Sequence, residues 1–255
     1  MKKYLFLYAT TAVFFSLTAC SPHYQLTNIE RTRIVIDKRY DVHPDAQAAA
    51  FIKPYKHEVD SIMGPVVGKA AHSMRAERPE SNLSNLMSDM LIWASKGYGE
   101  QPVLAVYNIG GIRSELIQGE VTFGDILAIA PFENKICFIT LTGEHLLELF
   151  RQIAARGGEG VSHGTELVIS RDRKLLSARL HGKEIDPKAE YRIATIDYVA
   201  QGNDGMTAFQ QGTNLVSPQE SKNNTRFILM DYFKTLDAKG IAVSSKVEGR
   251  IIIKD

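Results

Sequence analysis

The chain has 255 residues, 44% hydrophobic and 23% charged, enough apolar material for one sizeable core or two small ones, which excludes disorder as the default state. Thirty basic residues against 29 acidic ones leave a formal net charge of +1. That balance excludes a chain-wide field for nucleic acid or an acidic membrane, so any anion binding is local and no DNA or RNA polymer is expected as a partner.

The first segment reads as an address rather than part of a fold. Lys2 and Lys3 precede an apolar run over residues 4–17, about 14 residues and short of the roughly 20 that span a bilayer. The run ends Leu17-Thr18-Ala19-Cys20, which resembles a bacterial lipobox, where a signal peptidase cuts before a cysteine that carries diacylglycerol. The other reading is an ordinary cleaved signal with Cys20 there by chance. Residues 1–19 are thus expected as a lipoprotein signal peptide and 20–27 as a tether lipidated on Cys20. The protein is expected in the bacterial cell envelope, membrane-anchored and periplasmic-facing. An acylated Cys20 leaves Cys137 alone, hence no intramolecular disulfide. Cys137 lies in the apolar run 136–141 and reads as a small core residue.

From residue 28 to 255 no Ser/Gly linker, low-complexity tract or internal repeat interrupts the chain, and one domain is the economical expectation. Residues 31–36 predict a strand, and 44–63 a helix with Ala48, Phe51, Ile52 and Tyr55 as its apolar positions, kinked or divided at Pro54. Gly64-Pro65 ends that region. A second helix is predicted over 81–95 on the stripe Leu83, Leu86, Met87, Met90 and Leu91, then a strand over 103–107. Thr122 reads as an N-cap with Asp125 three residues on, before a short helix to Ile129, and 136–141 predicts a buried strand. Leu146, Leu147, Phe150 and Ile153 mark the next helix. Strands follow over 167–170, 175–180 and 191–194, with a turn at His181-Gly182-Lys183. A last helix over 224–236 leads to a strand over 250–253. Helices and strands in neither strict βαβ order nor hairpins alone predict an α+β fold with mixed sheets and helices on their outer faces.

Three segments set turn formers beside hydrogen-bonding or aromatic side chains at element ends, where ligand sites are often built. In residues 108–113, Gly110 and Gly111 permit a sharp turn or close approach to a ligand, while Asn108 and Arg113 offer an amide and a guanidinium fork. A plain strand-to-loop turn with a surface arginine fits equally. In 131–134, Pro131 stiffens a loop on which Phe132 presents a flat platform or joins the core, and Asn134 offers donor and acceptor. In 197–205, Tyr198 stands six residues ahead of Asp204 in a tight turn, and Asn203-Asp204-Gly205 alone is an ordinary turn. Together they supply an arginine for an anion, aromatics for the faces of a flat ring, and Asn and Asp for edges and hydroxyls.

In this order and spacing the segments resemble the C-terminal domain of the 5′-nucleotidase and UDP-sugar hydrolase family, from about residue 64 to the end. That family carries Asn-x-Gly-Gly-[Ile/Val]-Arg, then an aromatic in a Pro-Phe pair, then an aromatic six residues ahead of an Asp. The resemblance implies a four-layer α/β/β/α sandwich. It implies that Phe132 and Tyr198 sandwich a nucleobase, that Asn134 touches its edge, and that Asp204 accepts from ribose hydroxyls. Asn108, Gly110, Gly111 and Arg113 are then expected on the phosphate and ribose side. Asn82-Leu83-Ser84-Asn85-Leu86 matches the family's Asn-[Met/Leu]-Gly-Asn-Leu helix start, and also reads as the polar start of an amphipathic helix. The arginine usual just ahead of it falls at Pro79, with Arg75 or Arg78 as substitutes. Asn203 replaces a usual glycine, a place where asparagine tolerates a left-handed backbone.

The family's catalysis uses a separate two-metal domain. Asp41-Val42-His43 echoes one of its segments, and nothing echoes the rest; no two of the seven histidines stand at ligand spacing. Neither a Gly-x-Ser-x-Gly elbow nor a phosphate-cradling glycine loop occurs, while Asp197 and Asp204 could serve as acid and base. The expectation is a nucleotide-binding, substrate-recognition domain of a split 5′-nucleotidase in nucleotide catabolism and salvage, with no cofactor or catalytic residue of its own. A separately encoded metallophosphoesterase would carry the divalent metals. The alternative is a lipid-anchored nucleoside- or nucleotide-binding protein with no enzyme partner.

Overall fold

A computed structural model describes residues 24–255. Cys20 and the segment 1–19 lie outside the described residues. The chain separates into two units between Phe51 and Ile52.

Residues 24–36 carry no secondary structure and are exposed, and the strand predicted over 31–36 is absent. The physical reason is that β propensity expresses a fit to a paired, half-buried surface. Ile34 and Ile36 are exposed, and no neighbouring strand pairs with them among the described residues. Asp37 caps a 3₁₀ turn at Lys38–Tyr40. Helix α1 (Ala46–Met63) follows, running through Pro54 undivided. No helix of the described residues is long and apolar enough to cross a membrane.

In the second unit the elements are β1 (Val66–Ala70), α2 (Asn82–Ser95), β2 (Leu104–Tyr107), β3 (Gly119–Thr122), α3 (Phe123–Ile129), β4 (Ile136–Thr142) and α4 (Gly143–Ala155). They continue with β5 (Gly160–Val161), β6 (Thr165–Ser170), β7 (Leu175–Leu180), β8 (Lys183–Glu184), β9 (Glu190–Ile196), α5 (Asp197–Ala200), β10 (Thr213–Val216), α6 (Thr225–Asp237) and β11 (Ile251–Lys254). The fold is α+β with mixed sheets. A five-stranded sheet has the order β10-β4-β9-β2-β5 and a four-stranded sheet the order β11-β6-β7-β8, while β1 and β3 form a two-stranded ribbon. Each larger sheet has one parallel pair, β2 with β9 and β11 with β6, among antiparallel ones.

Two caps and two stripes explain the helices that hold this frame. Ser81 and Ser84 form a reciprocal capping box at the start of α2, satisfying backbone donors that the helix cannot. Leu83, Leu86, Met87, Met90 and Leu91 are all buried and pack α2 on β2, β5 and β9. Burying each such side chain contributes about 1.5–3 kcal/mol. Thr122 and Asp125 make the second box, which starts α3. Leu146, Leu149, Phe150 and Ile153 bury one face of α4, which packs on both β4 and β7 and so bridges the two larger sheets. Strand β4 is buried from Ile136 to Leu141, as a strand covered on both faces must be. Burial pushes the Cys137 thiol up to about 12, so this side chain is core, as its sequence setting indicates.

Candidate functional site

Strand direction brings the three turn segments together. β2 runs parallel to β9, with Leu104 opposite Ile193 and Ala105 opposite Ala194, so the loops leaving both strands emerge at one end of the sheet. β4 runs antiparallel to β9, with Ile136 opposite Ile196, so the loop entering β4 reaches that same end. These loops carry residues 108–113, 197–205 and 131–134. There Asn108, Gly110, Gly111, Phe132, Asn134, Tyr198 and Asp204 line one cavity of about 210 Å³.

Each side chain is held by its own local chemistry. Asn108 is buried and donates through Nδ2 to Asp204 Oδ2 at 2.7 Å, joining two loops 96 residues apart. Gly110 and Gly111 form a 3₁₀ turn without a left-handed backbone. The need for glycine at 111 is one of space, because a Cβ there would lie 2.7 Å from Asn108 Oδ1. Asp204 itself has the left-handed conformation, at φ 55° and ψ 28°, a region that Asp and Asn visit more readily than other side chains. The left-handed position ascribed to Asn203 is therefore Asp204, and the Asn203 side chain instead donates to the Tyr198 carbonyl at 2.8 Å.

Phe132 and Tyr198 are 47% and 38% exposed, which sets both apart from the core. Neither pairs ring to ring with another aromatic among the described residues. The loop carrying Phe132 is pinned from α6, where Arg226 donates to the Pro131 carbonyl and the Thr225 amide donates to the Asn134 carbonyl. Asp197 accepts from the backbone amides of Lys135 and Tyr198, fastening α5 to the start of β4. Its carboxylate thus serves the loop frame, and Asp197 is absent from the cavity lining.

Arg113 does not line the cavity. Its Nη1 lies 3.4 Å from the Gly110 carbonyl, and its side chain borders a separate depression with Arg75, Glu77 and Glu115. Of the two proposed substitutes for the family arginine, Arg75 therefore stands beside Arg113, whereas Arg78 turns inward to the Gly158 carbonyl and Glu159. The polar residues of the 82–86 segment serve the fold: Asn82 accepts from the Arg75 amide, and Asn85 donates to Glu80 and the Lys246 carbonyl.

Two residues that the sequence reading passed over complete the surroundings. Arg156, at the end of α4, has Nη2 3.6 Å from Asp204 Oδ1. Glu159 is buried and accepts from Arg78, Arg156 and the Ile109 amide. A basic residue ending a helix reads first as a dipole partner, and nothing local marks Glu159 as buried. No group of three or more His, Cys, Asp or Glu side chains that could hold a metal ion occurs among the described residues.

Residues 66–211 match the family described as 5′-nucleotidase, C-terminal domain. The chain belongs to that family. Among relatives, it is 27% identical over 237 residues to the trifunctional nucleotide phosphoesterase protein YfkN of Bacillus subtilis, covering 85% of this chain and 16% of that protein. It is 21% identical over 168 residues to protein UshA of Escherichia coli, covering 65% of this chain and 30% of that protein. The crystal structure of a 5′-nucleotidase precursor from Thermus thermophilus superimposes with a TM-score of 0.70 at 25% identity, over 84% of this chain and 44% of that one. This chain thus spans less than half the length of each of these proteins.

Proposed function

We propose that this 5′-nucleotidase C-terminal domain recognises the substrate for a split 5′-nucleotidase, binding a nucleoside or nucleotide while a separately made metallophosphoesterase supplies the divalent metals and hydrolysis. The convergence of seven residues around one cavity carries the reading. Two exposed aromatics give faces for a base, Asn134 an edge partner, and Asp204 an acceptor for hydroxyls. The volume is below the roughly 300–1,000 Å³ that encloses a drug-sized ligand. The cavity therefore takes in the flat part of a ligand and leaves the remainder open to a second protein.

On this reading the phosphate end lies on the side of Arg75 and Arg113, in a depression that Glu77 and Glu115 also border. With Arg75 and Arg113 bordering one depression, AMP should bind more tightly than adenosine at low salt. Arg113→Ala should narrow that difference by roughly tenfold, the scale of one charge-assisted contact of about 1.5 kcal/mol, and leave adenosine binding near wild type. Parallel calorimetric titrations of both ligands check this. An unchanged AMP preference in the variant would place the phosphate elsewhere. The inward turn of Arg78 removes one cation from this surface and favours a second reading, a binding protein with no enzyme partner.

The anchor is part of the same proposal. Acylation of Cys20 would hold the domain at the bacterial envelope, facing the periplasm, where on this reading it would serve nucleotide catabolism and salvage. Cys20→Ser should leave the precursor unprocessed or release the protein from the membrane fraction. A wild-type protein that is wholly soluble, with its mature N-terminus at another residue, would remove the anchor from the account.

A further inference from the structure

Behind the cavity lies a buried carboxylate that the proposed recognition does not use. The Glu159 side chain has no solvent exposure, and it accepts from Arg156 Nε at 2.5 Å and from the Ile109 amide at 2.6 Å, with Arg78 Nη2 on the same oxygen as Arg156. A buried charge persists only when paired and hydrogen-bonded. Here both oxygens are engaged, by Arg156 three residues away and by groups 50 and 81 residues distant. The backbone that delivers Glu159 is tightly fitted as well: Gly158 has φ 113°, and a Cβ on it would meet the Pro79 carbonyl oxygen at 2.1 Å.

Two of those three contacts lead to the cavity. Ile109 follows Asn108, which donates to Asp204 Oδ2, and Arg156 carries its Nη2 to 3.6 Å from Asp204 Oδ1. Each oxygen of Asp204 is therefore faced by a side chain, Asn108 or Arg156, whose own segment is bonded to Glu159. A carboxylate offers about four lone-pair sites. With one taken by Asn108 and one facing Arg156, about two remain for the cavity, which suits the two adjacent hydroxyls of a vicinal diol.

We infer that Glu159 is a positioning residue, holding Arg156 and the 108–111 turn so that Asp204 presents its open lone pairs to a ligand diol. This rests on the reading of the cavity as a nucleoside site. A positioning role differs from a merely structural one in its ligand dependence: it acts only on ligands that carry the diol, whereas general loosening weakens all ligands alike.

The test compares adenosine with 2′,3′-dideoxyadenosine on wild type, Glu159→Gln and Arg156→Ala, with folding checked by circular dichroism. Arg156→Ala guards against a misfolded Glu159 variant, because it leaves Glu159 paired with Arg78. Wild type should favour adenosine by about tenfold or more, and both variants should lose most of that preference while dideoxyadenosine affinity stays within about twofold. Equal losses for the two ligands, or an intact preference in folded Glu159→Gln and Arg156→Ala, would overturn the inference and leave the nucleoside site standing. Wild type binding both ligands alike would overturn it too, since Asp204 then reads no diol. Wild type binding neither would overturn both the inference and the reading beneath it.

Discussion

Phe132→Ala and Tyr198→Ala are each expected to weaken nucleoside binding about 5- to 150-fold, the range set by roughly 1–3 kcal/mol per base stacked on an aromatic. The exposure of the two rings makes the assignment specific. A core aromatic truncated to alanine costs about 3–5 kcal/mol of stability, but rings 47% and 38% exposed have little packing to lose. Each variant should therefore unfold close to wild type in urea while its affinity falls. Calorimetry checks the affinity and chemical denaturation the stability. Binding unaffected by both changes would remove the stacking assignment, and a loss matched by a comparable drop in stability would turn the rings into structural residues.

The second large effect concerns turnover. Phosphate-ester hydrolysis is among the slowest uncatalysed reactions, and paired metals supply both the nucleophile and the charge stabilisation in two-metal sites. The cavity of this chain offers Asn108, Asn134, Asp204 and the Tyr198 hydroxyl as its polar side-chain groups, which orient a ligand but do not assemble such a centre. The purified protein with Mn²⁺, Zn²⁺ or Mg²⁺ added is expected to release no phosphate from AMP or UDP-sugars above background. Adding a metallophosphoesterase from the same cell should restore turnover, and Arg113→Ala should lower the restored rate. Metal-dependent AMP hydrolysis by the isolated chain, persisting through further purification, would contradict the split arrangement and return Asp41 and His43 to consideration as ligands.

The features that were legible in the sequence are those whose physics is local. The α2 stripe, the Thr122 box and the buried run of β4 each announce themselves within a few residues, and they occupy the positions they predict. Residues 31–36 have the same local β character and form no strand, because pairing is a property of two segments. The two-residue β8 begins at Lys183, which the sequence places in a turn, and β1, β3, β5 and β10 lacked a signal for the converse reason. They are short, β5 is a two-residue strand containing Gly160, and their ladders rest on distant partners.

The site divides in the same way. Asn108, Phe132, Tyr198 and Asp204 sit in turns whose chemistry can be read within each segment, and the strand directions then bring them to one cavity. Arg113 belongs to the same motif, yet its side chain leaves the cavity toward Arg75, a direction that spacing does not encode. Arg156, Glu159 and Arg226 gain their roles only from contacts across the fold: to Asp204, to the Ile109 amide and to the Pro131 carbonyl.

A larger cavity of about 540 Å³, lined among others by His163, His181 and Arg250, gives the central claim a rival location. Arg250 there is committed to Asp89, Glu248 and the Val161 carbonyl, so size alone recommends that cavity. The most direct test is an amide chemical-shift titration of the folded domain with adenosine. Saturable shifts centred on Asn108, Gly110, Gly111, Phe132, Asn134, Tyr198 and Asp204 are expected if this cavity is the nucleoside site. Shifts centred on His163, Thr165 and Arg250, or no saturable shift with adenosine, uridine or AMP, would contradict it.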